Sequence, residues 1–396
     1  MLTVAAAISQ LTQAIEPRVS TETVEIAYSL GRVLATDIVA TVSVPPADNS
    51  AMDGYAFCYS EAAAHAFDLP LSQRIAAGSL SKPLLKNTLA RIFTGGEIPL
   101  GADTVAMQEN CSESDSRVAI DVTVESGANI RPRGQDIAKG HTVIAAGAPI
   151  RAQEMGLLSS IGVVTVPVYQ RLRVALFSSG DELIEPGRPL LAGQIYNSNR
   201  ATMIGLVRAL GMQPVDLGSV PDCPQATRDI LVKAAVQGDV VLCSGGVSVG
   251  EEDHVKAAVA ALGAIDFWRV AIKPGKPLAF GNVRGVPFIG LPGNPSSVFV
   301  TSYILARPFL QACQGHADWQ PRVYKARAAF KRAGETREVY LRARLNSLSG
   351  AVEIFSNQSS GVLSSACWGD VFVRQKSGES IKVDDLVDVL PYSAQY

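Results

Sequence analysis

The sequence predicts a multidomain α/β plus β protein. At its centre is an α/β domain with a mostly parallel sheet and helices on both faces, preceded by helical and β-rich segments and followed by a small β domain. Three observations carry this. The chain has 396 residues, more than one core accommodates, since cores stop growing near ~250–300 residues. Between about 172 and 317, short apolar runs ending in Gly- and Ser-rich loops alternate with stretches of helical period, the pattern of repeated βαβ units. On either side the text changes to short β-branched pieces separated by Gly, Pro and Asp.

In chain order, Val4, Ile8, Leu11 and Ile15 share one helical face, and Ser20 is placed to cap a second helix ending near Gly31. RIFTGGEIP, DTVAMQEN, SRVAIDVTVES and HTVIAAGAPI read as strands, followed by a short helix over 152–161 and the strand VVTVPVY. LRVALFSSGDEL opens the βαβ part. It continues with a helix over about 199–210, GMQPVDLGSV, a helix in TRDILVKAAVQG, DVVLCSGG and a helix over 254–262. VPFIGLPGNPSSVFVTSYILARPFL adds a strand and a helix, with Asn294 or Gly293 at the cap and Pro295 at the first helical position. After about 318, EVYLRARL, AVEIFS, DVFVRQ and LVDVLPY read as a small β-barrel or sandwich.

Composition narrows the function classes. Hydrophobic residues make up 47% and charged ones 18%, as in a compact folded protein. A net charge of -2 gives no general attraction to nucleic acid or anionic lipid. No apolar run reaches the ~18 residues of a membrane span, and no basic segment precedes the apolar start, so the expected location is cytoplasmic. The six cysteines show no CxxC spacing, and three of the four histidines sit outside any constellation, which argues against a zinc site and a histidine-based nucleophilic triad.

Ligands of open parallel sheets bind beyond the carboxyl ends of the strands. Three loops there are unusual: Ser178-Ser179-Gly180-Asp181-Glu182, the run from Ser244 through Gly245, Gly246 and Ser248 to Asp253, and Leu291-Pro292-Gly293-Asn294-Pro295. Loops of this kind present backbone N–H groups to anions, yet acids among them repel a phosphate unless a divalent cation intervenes. Mg²⁺ resolves the conflict, with Asp181, Glu182, Asp222 and Asp253 as candidate ligands. Any one of these acids taken alone is better explained as a helix cap, worth ~0.3–1 kcal/mol; their coincidence at the same end of one sheet points to function. In IKPGKP, Lys273 and Lys276 each precede a proline, which holds two ammonium groups on a stiff loop suited to an oxyanion. Three further stretches stand in the β-rich region: PPADNSAMDGY with Asp53, Thr94-Gly95-Gly96, and Arg131-Pro132-Arg133-Gly134-Gln135-Asp136. Singly, each is an ordinary turn or loop.

Together, NSAMDGYAF, FTGGEIPLGADTVAMQE, IRPRGQDI, SSGDEL, GQIYNSN, SGGVSVGEEDHV, IKPGKPLAFG and GLPGNPSSV resemble the molybdopterin molybdenumtransferase family, MoeA and the gephyrin E-domain, from about residue 4 to the C-terminus. The resemblance implies insertion of molybdate into the dithiolene of adenylylated molybdopterin, with Mg²⁺-dependent release of AMP. It implies an elongated homodimer whose site combines the α/β domain of one chain with β-rich elements of the other, and a molybdopterin adenylyltransferase upstream. The implied subunit has four parts: 1–40 with 131–170, an inserted β-rich domain at 41–130, the molybdopterin-binding α/β domain at 171–317, and a C-terminal β-barrel at 318–396.

Carried over by residue, Glu182, Asp222 and Asp253 are the acidic positions associated with activity or Mg²⁺. Ser248, Lys273, Lys276, Pro292 and Pro295, with Gly245 and Gly246 beside them, line the molybdate and pterin side. Asp53, Thr94, Arg131 and Asp136 come from the partner's β-rich part, and Arg344 and Ser365 from the C-terminal domain. The chain departs from the family in His254, where an aromatic residue is common, and in SSGDEL, where SSTGDEL or STGDEL is common; neither change removes a charge. An adenylyltransferase shares the α/β domain but lacks NSAMDGYAF and the C-terminal strands, and a non-catalytic scaffold does not call for intact acids and lysines.

Overall fold

The structure, a computed structural model, describes residues 1–13, 15–120, 124–247 and 254–393. A six-stranded sheet forms its centre, in the order Gln213–Val220, Arg173–Ser179, Val240–Ser244, Val286–Leu291, Pro277–Val283, Gly263–Arg269. The first four strands are parallel; the last two add antiparallel, which the alternating βαβ rhythm did not reveal. Alternation inside the strands sorts the two faces. Val174, Leu176, Val240, Leu242 and Ile289 share one core with Met203, Leu206 and Val207 of the Ser198–Ala209 helix. Ala175, Phe177, Val241, Cys243 and Phe288 share the other with the Pro224–Gln237 and His254–Leu262 helices. Helices on both faces are what a parallel sheet needs to bury its two apolar surfaces.

The opening helix is Val4–Thr12, capped by the Thr3 hydroxyl, which accepts from the Ala6 N–H at 3.1 Å. Its Val4, Ala7 and Leu11 pack into the first of those central cores. The second expected helix is not formed. Thr21–Glu25 is a strand paired antiparallel with Thr165–Tyr169, followed by a single 3-10 turn at Ile26–Tyr28. Thr21, Thr23 and Val24 are β-branched and stiff at χ1, and TVPVY offers a partner of the same kind, so distant pairing overrides the cap signal of Ser20.

A second six-stranded sheet holds the β-rich part, in the order Thr104–Met107, Gly54–Phe57, Leu89–Ile92, Asp68–Ile75, Arg117–Ile120, Cys111–Ser114. It has its own core around Tyr55, Phe57, Leu69, Leu89 and Val118. Short ribbons, Asn49–Ser50 with Ile130–Arg131 and Ile38–Val39 with Thr142–Ile144, lead back from it toward a core at Leu34, Ile150, Leu158 and Val166. The chain passes between this front part and the central sheet twice, side by side. Gln170 N–H donates to Ser20 O at 2.8 Å and Arg18 N–H to Cys313 O at 2.9 Å. The buried Gln314 side chain stitches the return crossing, accepting from Leu172 N–H and donating to Gln170 O, both at 2.7 Å.

At the C-terminal end Tyr324–Ala328, Glu338–Leu345, Ala351–Ile354, Val371–Gln375 and Leu386–Pro391 close into a barrel, because Glu338–Leu345 pairs with both Ala351–Ile354 and Val371–Gln375. Val339, Leu341, Ala343, Val373 and Val389 fill it. One extra piece joins from the central domain: Ile272–Lys273 pairs in parallel with Glu338 and Val339. Among the described residues no helix is long and apolar enough to cross a membrane.

Candidate active site at the strand ends

The carboxyl ends of the four parallel strands stand in a row, and the loops leaving them are those singled out above. Neighbouring strands are ~4.8 Å apart, so three spacings from Val220 to Leu291 make a row roughly 14 Å wide. Acids gather at one end. Ser179 Oγ donates to Asp222 Oδ1 at 2.6 Å, and the Asp222 N–H donates to Asp181 Oδ1 at 3.0 Å. The Glu182 carboxylate folds back over Gly180, where a Cβ would lie 2.4 Å from Glu182 Oε2. Hard oxygen donors of this kind suit Mg²⁺, which takes one or two protein carboxylates and fills its shell with water and phosphate oxygens. Among the described residues no group of three or more His, Cys, Asp and Glu is placed to hold a metal. Asp253 and Ser248 lie outside the described residues.

In the middle of the row Ser178 Oγ and Ser244 Oγ are 3.1 Å apart, both buried. Gly245 has φ +83°, and a Cβ on it would meet Ser179 O at 2.2 Å; a Cβ on Gly246 would meet Val255 Cγ2 at 2.5 Å. The packing of this loop against the next strand end and the His254–Leu262 helix therefore already requires both glycines.

At the far end Asn294 caps and Pro295 begins the Pro295–Thr301 helix, as the sequence indicates. Asn199, from the YNSN stretch, donates its Nδ2–H to Gly293 O at 2.7 Å, while its buried Oδ1 has no hydrogen-bond partner among the described residues. The stretch was visible in the sequence, but its role in holding the Pro292–Pro295 loop was not, because the partner lies 94 residues away. The lysine loop rests along the same helix and the loop before it: a Cβ on Gly275, φ +105°, would lie 2.5 Å from Thr301 Cγ2 and 3.4 Å from Pro292 Cγ. Lys276 is exposed. Lys273 is instead held by Glu335 of the C-terminal part, Nζ to Oε2 2.5 Å. That hydrogen bond, first among its causes, keeps the Glu335 carboxyl below the usual glutamate range.

Beside the Lys273–Glu335 pair, the barrel also reaches this end through residues 360–362. Ser296 N–H donates to Ser360 O at 2.9 Å and Ser296 Oγ to Val362 O at 2.7 Å. The two barrel residues expected at the ligand part company here. Arg344 is exposed, its guanidinium 4.5 Å over the Trp368 ring and 3.7 Å from Glu353. Ser365 is fully buried, accepting from Arg342 Nε at 2.9 Å and donating to Val362 O at 2.5 Å, so within this chain it supports Arg342. Arg342 also donates to Ser359 O at 3.0 Å, and no ion pair involves it among the described residues. Burial lowers its pKa to about 10, so it stays cationic at neutral pH. Sequence reading passed it over: Arg342 and Arg344 share a face of one strand, and only the fold of residues 358–365 decides which is covered.

In the β-rich part, Asp53 Oδ1 accepts from both the Thr94 N–H and the Thr94 hydroxyl, each at 2.7 Å. These bonds, the amide first, hold the Asp53 carboxyl below its ordinary pKa. Gly95 N–H donates to Ser50 O, Ser50 N–H to Gly96 O, and Arg131 pairs opposite Asn49, so three separate stretches of sequence form one corner. Asp136 stands apart from that corner, its N–H donating to Val44 O at 3.0 Å. Among the described residues no hydrogen bond or ion pair joins Asp53, Thr94, Arg131 or Asp136 to the ends of the central strands.

Comparison with known proteins places these features in context. Residues 2–162 match the family described as MoeA N-terminal region (domain I and II), and residues 175–312 that described as probable molybdopterin binding domain. A molybdopterin molybdenumtransferase of Haemophilus influenzae is 38% identical over 322 residues, covering 81% of this chain and 80% of its own length. One from a Nostoc species is 36% identical over 357 residues, covering 87% and 82%. A solved structure, the molybdopterin biosynthesis moeA protein of Pyrococcus horikoshii OT3, superposes with a TM-score of 0.85 at 26% identity, over 99% of this chain and 100% of that one.

Proposed function

We propose, from the premise that this chain belongs to the molybdopterin molybdenumtransferase family of molybdenum cofactor biosynthesis, that it inserts molybdate into the dithiolene of adenylylated molybdopterin and releases AMP. The observation that carries this is the layout of the row of strand ends. Paired acids stand at Asp181 and Asp222 at one end of a row roughly 14 Å wide, and the proline-fixed Lys273–Lys276 loop rests on the Pro295 helix at the other end. A ligand with a phosphoanhydride at one end and a metal-accepting group at the other spans such a row. Asp181, Glu182, Asp222 and Asp253 would hold Mg²⁺, which when bound neutralises phosphoanhydride charge. Lys276 and Lys273 hold the molybdate dianion, and Ser248, Pro292 and Pro295 line the pterin side. The dithiolene sulfurs belong to the ligand, so no cysteine is needed.

The isolation of Asp53, Thr94, Arg131 and Asp136 from the strand ends within one chain supports a homodimer in which each site takes these residues from the partner. We take the chain as cytoplasmic, supplied by a molybdopterin adenylyltransferase, and divided at the boundaries given above for its four parts. Incubating the purified protein with adenylylated molybdopterin, Mg²⁺ and molybdate is expected to release AMP; no AMP, with the fold intact, sinks the reading. Asp253→Ala is expected to abolish AMP release at an unchanged melting temperature.

A further inference from the structure

We propose that Glu335 is a specificity-determining residue that competes with the incoming oxyanion for the Lys273 ammonium. The proposal rests on the reading of the 273–276 loop as the molybdate-holding segment. The Glu335 carboxylate has a second charged partner on the barrel, and the Lys273 ammonium has none among the described residues. The Glu335 carboxylate binds Arg332 Nη2 through Oε1 at 2.5 Å, and its backbone O accepts from Gly378 N–H at 2.7 Å. Arg332 is fixed in turn by Gln375, whose buried amide also donates to Ala333 O and Glu379 O. Lys273 meets this fixed carboxylate only through the end of a flexible four-carbon stem. The lysine is therefore the partner that moves.

Release costs little, for two reasons visible in the structure. Arg332 remains as the counter-charge of Glu335 when Lys273 leaves, and neither side chain of the pair is deeply buried, Lys273 being 41% and Glu335 26% exposed. The backbone of the loop stays in place without the pair, since Ile272–Lys273 is hydrogen-bonded to the barrel strand and Arg337 Nη1 donates to Ile272 O at 3.0 Å. Charge then selects the anion. Glu335 offers Lys273 one negative charge, whereas a tetrahedral dianion offers two, shared between Lys273 and the exposed Lys276. Coulomb attraction scales with that charge. A monoanion of similar size gains nothing over the carboxylate already in place.

The test measures AMP release as a function of molybdate concentration, at saturating adenylylated molybdopterin, for the unsubstituted chain, Glu335→Gln and Lys273→Ala, with perchlorate as the monoanionic inhibitor. Glu335→Gln is expected to lower the molybdate KM by roughly 2- to 5-fold, more than any change in kcat, and to make perchlorate a better inhibitor. Lys273→Ala is expected to raise KM. If Glu335→Gln raises KM or leaves it unchanged while Lys273→Ala raises it, Glu335 only positions the lysine and the proposal fails. If Lys273→Ala changes nothing, the reading of the loop fails and the proposal with it. No turnover by the unsubstituted chain overturns the functional assignment itself.

Discussion

One oxygen of Asp53, Oδ1, receives both the amide and the hydroxyl of Thr94, each at 2.7 Å, across 41 residues of sequence. Two donors on one carboxylate favour its ionised form and depress its pKa. Thr94→Val keeps the volume and the amide but removes the hydroxyl. The Asp53 titration is expected to move upward, and with it the acid limb of turnover, so that activity is lost at higher pH than in the unsubstituted chain. A pH–rate profile of AMP release reads this directly; an unmoved acid limb shows that ionised Asp53 is not required.

Asp53 and Asp222 provide a test of subunit sharing. If each site draws Asp53 from one chain and Asp222 from the other, Asp53→Ala and Asp222→Ala are each inactive alone. Mixing them equally after dissociation gives hybrids with one intact site, recovering about a quarter of full activity. Recovery that stays at zero, with hybrids shown by mass, would falsify the shared site.

The legible part of this protein was the part written locally. Continuous apolar runs in Val174–Phe177 and Val240–Cys243 announced strands buried on both faces, and Pro295 after Asn294 announced a helix start. Local signals failed where a distant partner decides the outcome. Ser20 reads as a cap until Thr21–Glu25 meets Thr165–Tyr169. The prolines of IKPGKP announce a stiff loop but not that Glu335, 62 residues on, takes one of its two ammonium groups. At the site, the acids and glycines were readable because chemistry limits which residues suit them, while Asn199 and Arg342 became visible only through what they hold.

Ser365 and Arg344 are expected to behave oppositely on truncation. Ser365→Ala leaves the buried Arg342 short of an acceptor and is expected to cost about 1–3 kcal/mol of stability. Arg344→Ala loses only an exposed ring contact and a long ion pair, worth about 1 kcal/mol or less. Denaturant melts of the two variants compare them; equal losses contradict the burial pattern.

His316 makes stability fall in acid. Burial, aided by Arg307 and opposed by Asp318, lowers its pKa from 6.5 to about 4, and its Nδ1 is buried without a partner. The unfolded chain thus binds a proton near pH 6.5 that the folded chain refuses until about pH 4, so stability drops as pH falls through that window. Between pH 7.5 and pH 5 the loss from this group is about 2 kcal/mol. His316→Gln is expected to flatten the stability profile over that range, measured by urea melts at both pH values. An equally steep decline in the variant assigns the acid sensitivity to other groups.

The two adjacent crossings at Arg18–Ser20 and Gln170–Leu172 are joined by the Gln170–Ser20 hydrogen bond, and Gln314 braces the second of them. A single strand would leave the front part free to turn about it; two strands side by side, with the Ala317 N–H donating to Gly147 O at 3.0 Å beside them, resist twisting. Lengthening either crossing alone is therefore expected to change the angle between the two parts without unfolding either side.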